Sequence, residues 1–473
     1  MKQNVFVVFL LLSNICTAYS QDTHYDQVVS NFVTAYKTDS YESFYDVFSP
    51  KLKKDLPLEQ TVAFYSDMKN KFGTIISISY YGKEQDDSEL YKVNFSKGVE
   101  VLFHFTLNAN KQLIGFRVMD LPEKKIEVDE SIENTSYADL VYSAALSLPN
   151  KGEFAIALID GSEVDYIGLR KNGSSVQVVE NKQTIFSLGN FNTVFTATLL
   201  AKAINEKKVD VSDFVNPYYD FSFKDSIALS FVSLANHSAF LPVLPDYKLA
   251  DKEESEVDEF YFKYSSDDLK DYLQNHLKID SLNLDRRQRF SYVGYALLGD
   301  ALSRVYNKDF TTLMMEKVFV PYQLKNTSLV QLPKKKAIIG IDMYEGEVNA
   351  VDFNLLRSAT GGLSTLEDLV KFVQAHFNSK DKDLDLLLKP NLMVGPSFWA
   401  SLGWKISNPT DDNKVTYFSK AIDVGYCNYV GFSPKKRKGI VVLTNSSTTN
   451  TMDAIDDLTI KLMHKLLEED NLQ

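Results

Sequence analysis

The chain has 473 residues, 44% of them hydrophobic and 24% charged, with a formal net charge of -12 and two cysteines. That length exceeds one ordinary domain, that composition excludes a disordered chain, and that charge argues against a nucleic-acid surface. No basic stripe with interleaved aromatics is present either.

Residues 1–20 read as a secretory leader: Lys2, an apolar run from Val5 to Leu12, and a small-x-small ending at Ala18-Tyr19-Ser20, with cleavage before Gln21. A secreted or periplasmic chain is expected. Lipid anchoring at Cys16 is disfavoured, because Ile15 stands where a lipoprotein signal wants a small residue. Cleavage would leave Cys427 alone, so no internal disulfide is expected. No later apolar run is long enough for a membrane span.

Residues 21–125 read as a small α+β module. Helical spacing predicts helices at Tyr25–Thr38, Tyr41–Phe48 and Leu58–Phe72. Extended stretches follow at Ile75–Tyr81, Leu90–Phe95, Glu100–Leu107 and Gln112–Met119, with a turn at 108–111. Helices followed by a meander predict a curved sheet wrapped on helices. The block resembles the nuclear-transport-factor-like modules of unknown function that precede secreted bacterial hydrolases. Ser66 and Lys69 make a Ser-x-x-Lys match, but mid-helix and without a glycine entry, so it reads as a surface coincidence. His104, in an alternating strand, reads as a packed or surface histidine.

A polar stretch, Pro122 to Asn134, separates this module from a larger α+β domain at 132–470. A helix near Ser136–Leu148 leads to strands Phe154–Ile159, Val164–Leu169 and Thr184–Leu188. Then comes Phe186-Ser187-Leu188-Gly189-Asn190-Phe191-Asn192-Thr193. Phe195, Leu199, Leu200, Ala203 and Ile204 fall at helical spacing, Asn190 and Asn192 can cap the start, and Gly189 permits a tight entry. Taken alone, this is an ordinary capped amphipathic helix or an active-site helix without its chemistry.

The flanks resemble the nucleophile segment of the serine beta-lactamase and penicillin-binding-protein superfamily, in its class C, esterase and D-aminopeptidase-like branch: F-x-x-G-S-x-[ST]-K-x-[FL]-T-A-x-L-L. On that pattern Asn190 replaces the nucleophilic serine and Thr193 replaces the lysine one turn later. An Asn amide does not attack carbonyls and a Thr hydroxyl is no general base. Leu234-Ala235-Asn236-His237-Ser238-Ala239-Phe240-Leu241-Pro242 is similar to L-L-T-H-T-S-G-L-P, with the Ser-Gly pair lost. His237 there reads as a buried, hydrogen-bonded landmark.

The second catalytic element, Tyr-x-Asn before G-Y-x-L-L-G, is matched by Phe290-Ser291-Tyr292 before Gly294-Tyr295-Ala296-Leu297-Leu298-Gly299. Phe290 lacks the phenolic oxygen, Tyr292 replaces the amide, and the resemblance gives Ser291 no chemical role. Val318 to Ser328, Ala359-Thr360-Gly361-Gly362-Leu363-Ser364-Thr365 and Leu402-Gly403-Trp404 resemble scaffold landmarks of the same superfamily. Gly361 and Gly362 admit a turn before a helix that Ser364 or Thr365 can cap. The third element, Lys-Thr-Gly or His-x-Gly, falls at Lys420-Ala421-Ile422, where Lys420 keeps a cation and Ile422 replaces a glycine. Ser433 with Lys436, and Tyr426-Cys427-Asn428, are decoys in a hairpin turn and a strand.

The resemblance implies an antiparallel sheet flanked by helices, with a helical subdomain. It also implies a catalytically inactive remnant, with Asn190, Thr193, Phe290, Tyr292, Lys420 and Ile422 as vestigial site positions. Lys420 and Tyr292 are the candidate ligand contacts, and the implied ligand is peptide-like or peptidoglycan-derived. The alternative is an active beta-lactamase, D,D-peptidase or esterase using another nucleophile, with Ser187 as the nearest hydroxyl. No cofactor is implied, and six scattered histidines predict no metal site.

Overall fold

The computed structural model describes residues 23–84, 88–119, 137–245, 247–248, 254–279, 287–331 and 336–468. The expected leader with Cys16, and the polar stretch at 122–134, lie outside them. The described residues form two compact units, one ending at Met119 and one beginning at Tyr137.

In the first unit, helices α1 (Thr23–Thr38), α2 (Tyr41–Tyr45), α3 (Pro50–Asp55) and α4 (Leu58–Phe72) precede four strands. These are β1 (Ile75–Lys83), β2 (Glu89–Phe95), β3 (Glu100–Leu107) and β4 (Leu113–Met119), an antiparallel meander. Helix α3 goes beyond the expected elements; Ser49 Oγ caps it by accepting the Leu52 N–H, and Pro50 fits its first turn. Alternation along β2 buries Tyr91, Val93 and Phe95. The core is aromatic: Phe32 is fully buried, with the rings of Phe44, Tyr65, Phe103 and Phe105 at 5.2, 5.4, 5.4 and 5.9 Å. Lys69 lies inside α4 with its ammonium 2.7 Å from Asp39, and buried His104 pairs through Nε2 with Ser88 Oγ.

The second unit begins with α5 (Ala138–Ala145), β5 (Glu153–Asp160), β6 (Glu163–Asn172), β7 (Ser175–Val178), β8 (Phe186–Ser187) and α6 (Asn192–Asn205). A mostly helical stretch follows: α7 (Phe231–Ala235), α8 (Glu254–Lys263), α9 (Ser266–Asp271), α10 (Tyr292–Tyr306) and α11 (Phe310–Met314). Next come β9 (Gly340–Ile341), β10 (Glu347–Val348), β11 (Leu363–Ser364), α12 (Leu366–Ala375) and α13 (Lys382–Leu387). The chain then returns as β12 (Leu392–Met393), β13 (Phe398–Ala400), β14 (Lys405–Ser407), β15 (Thr416–Asp423), β16 (Tyr426–Ser433) and β17 (Lys438–Thr444), and ends in α14 (Thr449–Glu468).

The main sheet is antiparallel, ordered β12-β13-β14-β15-β16-β17-β5-β6-β7. Alternation splits its faces. Ala155, Ala157, Val430, Val441 and Leu443 join α6 and α12 in one core, whereas α14 packs over β16 and β17 from the other side with Ile455, Leu458 and Leu462 buried. Strand β7 was not among the expected strands; its four residues show almost no burial, so periodicity carries little signal. The fold is α+β, as the sequence implied: a small helix-and-sheet unit, then an antiparallel sheet flanked by helices.

Candidate functional site

The entry to α6 is fixed by Gly189. Its φ is +53°, and a Cβ there would lie 2.7 Å from the Ile422 carbonyl oxygen, so only glycine lets this turn approach β15. One turn of 3-10 helix, Gly189–Phe191, then feeds α6.

Neither asparagine caps α6, contrary to expectation. Asn190 Oδ1 instead accepts the Ile422 N–H at 2.9 Å, and Asn192 Nδ2 donates to the carbonyls of Arg357 and Thr360, both at 2.9 Å. Each bond engages a backbone group on another element, so the side-chain amides serve long-range contacts and not a local cap. Thr193 Oγ1 donates to the Asn190 carbonyl at 2.8 Å. Asn190 and Thr193, the positions expected to stand in place of reactive groups, are thus both tied to backbone.

Ser291, given no chemical role in the sequence comparison, caps α10: its Oγ accepts from Gly294 N–H at 3.0 Å and donates to Pro242 O at 2.6 Å. His237 faces it with φ of 60°, and its Nδ1 accepts the Ser291 N–H at 3.2 Å. Burial, then the charge of Lys405, push the His237 imidazole down to about 3. It is therefore neutral, and an accepting Nδ1 puts the proton on Nε2. Phe290 packs on this ring at 4.6 Å, and Tyr292 meets Phe290 edge-on at 4.8 Å.

A recess of about 120 Å³ gathers four of the six positions expected to be vestigial: Asn190, Thr193, Phe290 and Lys420. His237, Gln288, Ser401, Lys405 and Ser419 also line it. Ile422 and Tyr292 do not line it: Ile422 is joined to Asn190 through its N–H, and Tyr292 to Phe290 through the ring contact. Burial, then Asp423, push the Tyr292 hydroxyl up to about 12, so it stays a neutral phenol.

Lys420 sends its ammonium to α14, 2.7 Å from both Asp456 carboxylate oxygens. Strand alternation accounts for this, since Ser419 and Ala421 take the side facing α6. The cation expected to attract a ligand carboxylate already has one. Ser187 is fully buried and donates to Asp423 Oδ2 at 2.8 Å, with no amine or imidazole bonded to it. Its acceptor is a carboxyl whose pKa burial raises.

Lys405 carried no signal in the motif comparison. It lies on β14 between Trp404 and Ile406, which are both buried, so the period of two alone marks it as facing the other way. A larger cavity of about 600 Å³ elsewhere contains Glu153, Arg170, Lys151 and Glu347, but their charges are paired with one another. Among the described residues no group of three or more His, Cys, Asp or Glu could hold a metal ion, and no helix is long and apolar enough to cross a membrane.

The beta-lactamase family profile matches residues 154–465, and a family described as a protein of unknown function (DUF3887) matches residues 29–116. The chain belongs to the beta-lactamase family. It is similar to a beta-lactamase of Escherichia coli (strain K12), 25% identical over 308 residues, which cover 57% of this chain and 77% of that protein. It is also similar to a beta-lactamase of Providencia stuartii, 22% identical over 359 residues, covering 67% of this chain and 86% of the relative.

Proposed function

We propose that the large domain is a catalytically inactive beta-lactamase-family domain that binds a ligand at the Asn190 recess, on a chain exported to the cell envelope by its leader. The bond from the Ile422 N–H to Asn190 Oδ1 carries this reading. An acylating site needs a hydroxyl at that helix start and unoccupied N–H donors for the developing oxyanion. Here an amide stands in place of the hydroxyl, and its oxygen already takes a backbone N–H aimed at the same turn. Loss of the nucleophile of a serine enzyme alone lowers turnover by about a million-fold. The polar lining that remains favours a binding role over a recess filled with apolar side chains.

Incubating the purified chain with a penicillin and with a fluorophosphonate, followed by intact mass, tests the reading. The expected spectrum shows unmodified protein. A stoichiometric adduct on any serine would establish the alternative, an active hydrolase with another nucleophile.

A further inference from the structure

We propose that residues 163–167 of β6 form a docking edge, to which a basic, extended segment of a partner protein adds as a further strand of the main sheet. Strand β6 pairs with β5 from Glu163 to Arg170, but with β7 only from Leu169 to Asn172. The last bond on the β7 side runs from the Val179 N–H to Gly168 O at 2.9 Å. Beyond it the chain leaves the sheet, tied inward by buried Asn181, whose Nδ2 donates to Phe154 O and to Glu153 Oε2, both at 3.0 Å.

The backbone groups of successive residues in an antiparallel strand point alternately to its two neighbours. Lys171 N–H donates to Gly152 O on the β5 side and Gly168 O accepts on the β7 side, so Tyr166 and Val164 also point away from β5. Their two N–H and two C=O groups face the open side, and none of the four has a hydrogen-bond partner among the described residues. Such a row of unpaired groups is a template for an added strand. Beside it lies a recess of about 260 Å³, lined by Asp165, Tyr166, Gly168, Glu180, Lys182 and Leu366 among others. It shares no lining residue with the Asn190 recess.

The charges select the occupant. Asp165 and Glu180 on the recess, and Glu163 at the start of the edge, have no ion pair to a described residue. Lys182, the one cation among the described residues of the lining, is already engaged: its ammonium lies 3.9 Å from the Glu367 carboxylate and 5.3 Å from the centre of the Tyr166 ring. Three carboxylates without a counter-charge favour Lys or Arg on the incoming strand. They also disfavour a second copy of this edge, because antiparallel pairing about Asp165 would set that carboxylate opposite its own counterpart. The Tyr166 side chain, 38% exposed, offers ring surface to an apolar residue between the basic ones.

The test is fluorescence anisotropy of the full chain at fixed ionic strength with labelled, C-terminally amidated pentapeptides: Val-Lys-Val-Lys-Val, Val-Glu-Val-Glu-Val, and the Lys peptide N-methylated at every internal amide. The Lys peptide should bind, and the other two should bind about tenfold more weakly or worse. Tyr166→Pro removes an outward N–H at an open edge, where proline is tolerated, and should weaken the Lys peptide about tenfold, whereas Tyr166→Ala keeps that N–H and should stay within about threefold. Asp165→Asn combined with Glu180→Gln should weaken it about fivefold. Thermal melts check that each variant folds; if Tyr166→Pro does not, the N-methylated peptide reads the same backbone bonds from the ligand's side. Equal binding of the Lys and Glu peptides, undiminished binding of the N-methylated peptide or by a folded Tyr166→Pro variant, no binding of the Lys peptide, or self-association of the chain through this edge would each overturn the proposal.

Discussion

Two segments meet at the start of α6, and they follow the pattern implied by the sequence resemblance to opposite degrees. Gly361 to Asp368 is nearly intact. Gly361 has φ of +79°, a Cβ on Gly362 would come within 2.0 Å of Asn192 Oδ1, and fully buried Asp368 accepts from Asn326 N–H at 2.6 Å and Thr327 Oγ1 at 3.1 Å. Gly189 to Thr193 keeps its glycine and its path against β15, with Asn190 and Thr193 at the positions where the resemblance implies a serine and a lysine. The difference separates two kinds of constraint. Folding itself enforces a close contact or a satisfied buried carboxylate, because changing either raises the energy of the native state. Only a reaction enforces a serine hydroxyl beside an amine, and an amide or a second hydroxyl bridges the same backbone without loss.

The sharpest way to break that contrast is to attack the intact segment. Asp368→Ala leaves the Asn326 N–H and the Thr327 hydroxyl without their acceptor, and should cost about 3 kcal/mol or more in urea unfolding. A loss comparable to that of a surface substitution would show that the segment is not held by packing. A second large effect comes from pH. His376 is buried among Phe372, Trp404 and Phe432, and burial pulls its pKa from 6.5 to about 4. A folded pKa below the unfolded one gives a contribution that is whole above pH 6.5 and is lost as the pH falls toward about 4. The loss amounts to about 3 kcal/mol, and His376→Phe should flatten the wild-type decline between pH 6.5 and 4.5. Parallel stability curves for the two proteins would refute the assignment.

The same contrast explains what the sequence disclosed. Gly361-Gly362, Thr365 and Trp404 were legible because backbone geometry, a cap and a buried ring demand particular residue types; Thr365 does cap α12, accepting from Asp368 N–H at 3.3 Å. The reading of Asn190 as the nucleophile position rests on the same kind of residues, the flanking glycine and apolar positions. The partners were not legible. Whether Asn190 capped its helix or crossed to Ile422, and whether Lys420 faced the recess or Asp456, depends on contacts 232 and 36 residues apart in the chain. Lys405 was missed because motif comparison asks only about positions where the family keeps chemistry.

Smaller effects should follow at the altered site. Asn190→Ala removes one partly exposed hydrogen bond to β15 and should cost about 1 kcal/mol in the same unfolding measurement, well below the change at Asp368. A cost equal to that at Asp368→Ala would mean that Asn190 is itself a scaffold residue, and the division drawn above would fail.

The least perturbing substitution is also the most discriminating. Asn190→Ser restores a hydroxyl at the helix start and releases the Ile422 N–H, so two features of an acylating site return together. No penicillin adduct should form, because Thr193 carries no amine, Phe290 carries no phenolic oxygen, and His237, though near, has its Nδ1 committed to Ser291 and its proton on Nε2, pointing no lone pair at the recess. Stability should change by under about 1 kcal/mol. An adduct accumulating within hours on the Asn190→Ser variant would show that the preserved backbone alone activates a hydroxyl, and that the exchange of Asn190 was the one step separating this domain from catalysis.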